Sequence, residues 1–230
     1  MRLRAALPGH HLSDDSRHLI EICLGIVGTM AGLVLGLLVA SATATYNAQR
    51  DELLDVSGKV VLLDRLLAHY GPEAEPARTT LRAVVGQAIV RIWPETTSIA
   101  PQMDPLKVHG ELFLDQLESL EPSNDRQRSL KPAAIALAMS VAQTRWLMYA
   151  QTEQMISPLL VILLVFWFSI TFVGFGVFSP PNATVLVALG LCALAVSGAI
   201  FLTLEMYTPF QGLVQLSSAP LRDALAHLGR

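Results

Sequence analysis

From Gln154 to Leu204 the chain carries no Asp, Glu, Lys or Arg. A helix needs about 20 apolar residues to cross a bilayer, so this run is long enough for two crossings. It is interrupted once, at Ser179-Pro180-Pro181-Asn182, where consecutive prolines cannot continue a helix and Asn182 can cap the next one. The segment therefore reads as two transmembrane helices, 156–178 and 183–205. The first holds five of the eight phenylalanines, and Ser157-Pro158 near its start allows a kink. The second carries small residues at Gly190, Ala193 and Ser197. The sequon Asn182-Ala183-Thr184 at its edge is better read as a helix cap than as a glycosylation site.

A third charge-free stretch, Gly25 to Ala42, lies near the N-terminus and reads GIVGTMAGLVLGLLVASA. Within a first span placed at 19–42, Gly28, Gly32, Gly36 and Ala40 recur every fourth position and share one helical face. In lipid, such a face admits another helix at short distance, and packing replaces the missing hydrophobic drive. The stripe is either a tight helix-packing surface or part of a pore shared by identical subunits. Arg2 and Arg4 resemble the start of a signal peptide. Asp14, Asp15 and Glu21 intervene, however, and a long charged helix follows, so the span reads as a retained anchor. Cys23 and Cys192 fall inside spans and read as buried apolar thiols, with no disulfide framework or metal-ligand spacing.

Charged residues make up 15% of the chain, against about 25% in soluble domains. A net charge of -3 gives no basic footprint for nucleic acid, and none is expected as a partner. The polar N-terminal segment, 1–18, contains His10, His11 and His18. These lack a carboxylate or cysteine at ligand spacing and read as solvated rather than as a metal site. Ser13 is placed to cap the helix beginning near Asp14.

Residues 43–153 read as a helical extramembrane domain. After the first span, apolar residues recur at Leu53, Val56, Val60, Leu63, Leu67 and Tyr70, a heptad seam that stops at Tyr70-Gly71-Pro72. Packing within a helical domain accounts for this seam; a parallel coiled coil would need more heptads. A second helix fits Ala77 to Trp93, with Leu81, Val84, Val85, Ala88, Ile89 and Ile92 on one face and Arg78 and Arg82 on the other. Pro94 ends it and opens a loop to Pro105. A short amphipathic helix follows around Leu112 to Leu120. Pro122-Ser123-Asn124-Asp125 then starts a helix whose uncharged part, Pro132 to Thr144, is too short to span. Arg145 and Trp146 suit an interfacial level. Eleven of the 16 basic residues lie between the first two spans, which favours a cytosolic domain and C-terminal tail (206–230), although Arg2, Arg4 and Arg17 pull the other way.

No phosphate-binding glycine loop, Cys-x-x-Cys, His-Glu-x-x-His or nucleophile elbow occurs, and the carboxylates have ordinary surface spacing. No residue presents itself as catalytic, no cofactor is implied, and the chain is not expected to be an enzyme. Acidic residues stand at the membrane ends instead, at Glu21, Asp51, Glu52 and Glu205, where such groups often serve a pathway or partner.

Two stretches carry a family resemblance: LLDRLLAHYGPEAEPARTTLR (Leu62 to Arg82) with Ile92-Trp93-Pro94-Glu95, and FLTLEMYTPFQGLVQLSSAPLRDALAHLG (Phe201 to Gly229). Together with Thr144-Arg145-Trp146 and the glycine-rich first span, they resemble the bacterial bestrophin-like membrane proteins. In the tail motif, Glu205, Pro209, Phe210 and Gly212 match the family's pattern, whereas Tyr207 stands in place of its usual acid. The resemblance implies an all-α membrane protein of three spans that assembles as a homo-oligomer, pentamer-like by analogy, in the bacterial inner membrane. It also implies an ion channel with a helical cytosolic region extending the conduit. Bestrophins pass anions and bind calcium through an acidic cluster, for which this chain has no counterpart.

The residues themselves lean towards a monovalent cation such as potassium. Rings of Glu21, or of Asp51 and Glu52, would attract cations, and no Lys or Arg lies between Arg17 and Arg50. Thr29, Ser41, Thr43 and Thr45 are candidates for replacing ion hydration. Leu35, Leu37, Leu38 and Val39 are candidates for an apolar gate. Gly28, Gly32, Gly36 and Ala40 are expected to set helix spacing rather than selectivity. The expected partners are membrane lipid, further copies of the chain and monovalent ions. A chloride channel of bestrophin type and a non-conducting membrane scaffold are the alternatives.

Overall fold

The computed structural model describes residues 14–94, 110–152, 158–179 and 182–229. Ser13, the His10-His11 pair, most of the loop from Pro94 to Pro105, Ser157 and Pro180-Pro181 lie outside the described residues. Among those described, every regular element is helical. Helix α1 covers Asp14–Tyr70, α2 Glu75–Ile92, α3 Gly110–Glu118, α4 Asp125–Thr152, α5 Pro158–Phe178, α6 Ala183–Met206 and α7 Ala219–His227. Three of them, α1, α5 and α6, are long and apolar enough to cross a membrane, each holding an 18-residue stretch of mean hydropathy 2.5, 2.5 and 2.6 respectively.

Helix α1 contains no proline and runs 57 residues without a break. It ends where Gly71 takes a φ of 128°, a conformation that side chains disfavour, and where Pro72 begins a single 3₁₀ turn. The chain divides into two compact units, Met1–Thr45 with Met155–Tyr207 and Tyr46–Gln154 with Thr208–Arg230.

In the first unit, Ala31, Leu35 and Leu164 form a small core, flanked by Trp167, Phe168, Val196, Ala199 and Ile200. Most other apolar side chains point outward, such as Leu159 at 73% exposure and Leu194 at 71%. In water so much exposed apolar surface would be unfavourable, whereas in hydrocarbon it is the solvated face. Cys23 and Cys192 share this outward surface. The expectation that they are buried thus fails, because a lone span is covered by lipid or neighbours rather than by its own chain. Asn182 caps α6, its Oδ1 accepting from Val185 N at 2.8 Å. Thr171 and Thr203 are buried, each hydroxyl donating to the carbonyl four residues back.

Gly174 of α5 faces Leu24 so closely that an added Cβ would lie 3.1 Å from Leu24 Cγ and nearer still to its methyls. Gly174→Val is therefore expected to destabilise this unit by about 1–3 kcal/mol through overpacking. Thermal unfolding in detergent checks this, with Gly176→Val, at a position facing open space, expected to leave the midpoint nearly unchanged.

The second unit is built on the seam of α1. Leu53, Val56, Val60, Leu63, Leu67 and Tyr70 are all buried. They join Ala77, Leu81, Val85 and Ile89 of α2, Phe113 and Leu117 of α3, and Ala134, Ala138 and Met148 of α4 in one core. Helix α2 packs on α3 and α7, and α3 packs on α4. The heptad spacing is thus satisfied within the chain. Gln127 ties the end of α1 to α4: its Nε2 donates to Tyr70 O at 2.9 Å, and its Oε1 accepts from Ser123 N and Oγ at 2.7 Å each. Burial, followed by the nearby Glu73 and Glu121, raises the pKa of the Tyr70 phenol. Lys131 Nζ donates to Glu118 O and Leu120 O, closing the C-terminal end of α3.

Candidate functional site

Between Glu21 and Thr45, α1 presents two unlike faces. Leu24, Ala31, Leu35 and Ala42 are buried within the first unit, and Gly28 touches Thr171, whose Cγ2 lies 3.4 Å from an added Cβ. A Cβ added at Gly25, Gly32 or Gly36 would meet nothing within 4 Å beyond the backbone of its own helix. Ala40 is also exposed. The glycine stripe is therefore split. Four-residue steps on a helix of 3.6 residues per turn drift sideways by about 40° each. The line starts at the intrachain contact at Gly28 and turns onto the open face by Gly32.

The gate candidates divide in the same way. Leu35, Leu38 and Val39 belong to or flank the small core, while Leu37 stands on the open face at 65% exposure. Sequence periodicity alone does not separate these four, since an apolar side chain satisfies either environment.

The hydroxyls show what chemistry the face offers. Thr29 is exposed, and its Oγ1 donates to Gly25 O at 2.8 Å. With its proton committed to the backbone, the oxygen turns only lone pairs outward. Thr43 Oγ1 likewise donates to Val39 O at 2.8 Å and lies 3.9 Å from Met206 Sδ. Ser41 is exposed, and its Oγ accepts from the Tyr207 hydroxyl at 3.1 Å. Tyr207, the departure from the family's usual acid, thus ties the end of α6 to the exit of the first span. Thr45 is half-buried. Of the acidic candidates, Glu21 and Glu205 are half-buried and Asp51 is exposed. Glu52 is half-buried, its Oε1 accepting from Gln151 Nε2 at 2.7 Å.

The tail motif has a structural role in the second unit. Pro209 and Phe210 are buried, and Phe210 meets Trp93 edge-on at 5.7 Å between ring centroids. Trp93 Nε1 donates to Leu216 O at 2.8 Å, and Leu216 N donates to Pro209 O at 2.7 Å. Between these contacts, Gly212 takes a φ of 81°, which a side chain would strain. Leu216, Leu221, Ala224 and Leu228 then bury themselves in the same unit.

Sequence reasoning missed Asp64, which is 1% exposed. Its oxygens accept from Arg78 Nε at 2.9 Å and Nη2 at 3.2 Å, and Oδ2 also accepts from Gly229 N at 3.2 Å. Arg78 therefore does not belong to the solvated face of α2. Its hydrogen bond to Asp64 raises the guanidinium pKa against the opposing effect of burial. An Asp between apolar seam positions was the available signal, but surface spacing looks identical until α2 supplies the partner. Arg145, read as interfacial, lines a cavity of about 600 Å³ together with Val56, Val60, Leu81, Val85 and Arg91. Burial lowers its pKa.

Among the described residues no group of three His, Cys, Asp or Glu side chains is placed to hold a metal ion. No curated protein and no solved structure matches the chain significantly. One family matches, described as a bestrophin-like domain, over residues 1–221.

Proposed function

The chain belongs to the bestrophin-like family, and from that premise we propose that it is a homo-oligomeric channel of the bacterial cytoplasmic membrane that conducts monovalent cations, potassium foremost. Copies of the chain surround an axis, with the open face of α1 directed towards that axis or a neighbouring copy. The carrying observation is Thr29, an exposed hydroxyl whose proton is given to Gly25 O. Oxygen lone pairs suit a cation and offer nothing to chloride. The absence of Lys and Arg between Arg17 and Arg50, and the exposed Asp51 beyond the span, support the same sign. Of the four gate candidates, Leu37 is the one exposed on that face, where an apolar side chain can gate by dewetting. The chain acts without catalysis or cofactor, in contact with lipid and its own copies.

Purified protein in liposomes with opposed potassium and chloride gradients tests the reading. The reversal potential is expected near the potassium value; one at the chloride value favours the anion channel of bestrophin type. Absence of flux from an intact oligomer supports a scaffold instead. Gly36→Leu adds bulk where the chain itself has nothing within 4 Å. It is expected to leave the fold of the single chain intact while reducing oligomer yield or flux at least tenfold, measured by light scattering and ion efflux.

A further inference from the structure

Helix α1 has an unusual occupant one turn before its seam begins. Below it, Leu53, Val56, Val60, Leu63, Leu67 and Tyr70 fill the buried positions. The place before Leu53 is held by Gln49, which is 1% exposed and whose Oε1 has no hydrogen-bond partner. A leucine would continue the seam at no polar cost.

Two further oxygens nearby share this condition. Glu52, one turn along the same helix, engages Gln151 Nε2 through Oε1, while its Oε2 is buried without a partner. Gln151 gives its Nε2 to that carboxylate, and its own amide oxygen is likewise buried without a partner. Buried acceptors left unmatched are rare in folded proteins, and three on adjacent side chains call for a shared donor or cation.

We propose that Gln49, Glu52 and Gln151 form a binding site for one desolvated monovalent cation, with oxygens as its only protein ligands. All-oxygen donor sets select hard cations, whereas transition metals favour nitrogen and sulfur. One carboxylate with two neutral amides balances a single positive charge. Calcium would call for more carboxylates, and magnesium keeps several waters. The bound ion neutralises Glu52 and joins α4 to α1. Glu52 then serves this intrachain site rather than a ring of carboxylates around an axis. The inference is independent of conduction, because the site lies within one chain and is read by stability.

The test is thermal unfolding of the full-length protein in detergent at fixed pH and ionic strength, with lithium, sodium or potassium chloride replacing N-methyl-D-glucamine chloride. A saturable rise in midpoint of about 3–5 °C is expected at a concentration tenfold above half-saturation for the preferred ion. Gln49→Leu and Glu52→Gln are each expected to abolish that rise. Gln49→Leu, which fills the seam with apolar volume, should unfold no earlier than the wild type in N-methyl-D-glucamine. A wild-type midpoint indifferent to all three alkali ions overturns the site, as does a response to divalent ions alone. A cation response surviving in both variants also overturns it. So does a midpoint that follows pH through Glu52 but ignores the cations, since a proton then satisfies the carboxylate.

Discussion

Asp64→Ala is expected to destabilise the protein by about 3–5 kcal/mol, the usual loss when one partner of a buried ion pair is removed. The carboxylate is 1% exposed and accepts both Arg78 bonds and the Gly229 amide. Its removal strands the guanidinium at a site where only 13% of that side chain is exposed, and unfastens the C-terminal end of the chain. Denaturation of the detergent-solubilised protein measures the loss. Glu75→Ala removes the other carboxylate on Arg78, but that side chain is 62% exposed, so a change of about 0–1 kcal/mol is expected. The double variant Asp64→Ala/Arg78→Leu should recover part of the single loss, because it leaves no buried unpaired charge.

Phe210→Ala is expected to cost about 3–5 kcal/mol, as for other buried aromatic truncations. Phe210 is buried, and its ring supports Trp93, whose Nε1 holds Leu216 O. Trp93→Phe keeps an aromatic contact but removes that N–H and should cost less, about 1–2 kcal/mol. Because the two rings touch, the double variant Phe210→Ala/Trp93→Phe should lose less than the sum of the single losses. Unfolding midpoints of the four proteins close this cycle; strict additivity would show that the two side chains stabilise the tail separately.

Much of the helical organisation is legible locally. The charge-free run with its Pro-Pro-Asn break marks two long apolar helices, and Tyr70-Gly71-Pro72 marks the end of α1. Those signals need only chain chemistry: apolar length, a missing amide hydrogen, a tolerated positive φ. The seam from Leu53 to Tyr70 is legible for the same reason, since period marks a buried face whatever covers it. Its partner is not legible. Two helices of one chain and two copies of one helix bury such a face equally well, and only the cluster with Leu81, Val85 and Phe113 shows it spent inside the chain.

The candidate pore face was less legible. Gly28, Gly32 and Gly36 look equivalent in sequence, yet Gly28 meets Thr171 while Gly32 and Gly36 meet nothing. Leu35 and Leu37 are both apolar, but one joins the core and the other is 65% exposed. Glu52 and Asp51 are adjacent acids, and only Glu52 is drawn into a bond with Gln151. These distinctions depend on residues distant in sequence, such as Gln151 at 99 positions from Glu52, or on the exact drift of a helix face, neither of which composition or spacing records.

The sequence by itself determined that the chain is helical, that three segments are apolar enough to cross a bilayer, and that the family's tail motif is present. Each follows from local hydrophobicity and backbone chemistry. Only the tertiary structure decided that Asp64 is the buried anchor for Arg78 and Gly229, that Pro209 and Phe210 build a packed tail, and that Gly32 and Gly36 face outward. The physical reason is that burial and pairing belong to contacts between distant segments. The same aspartate or glycine is a surface residue, an anchor or a packing surface according to what the fold sets against it.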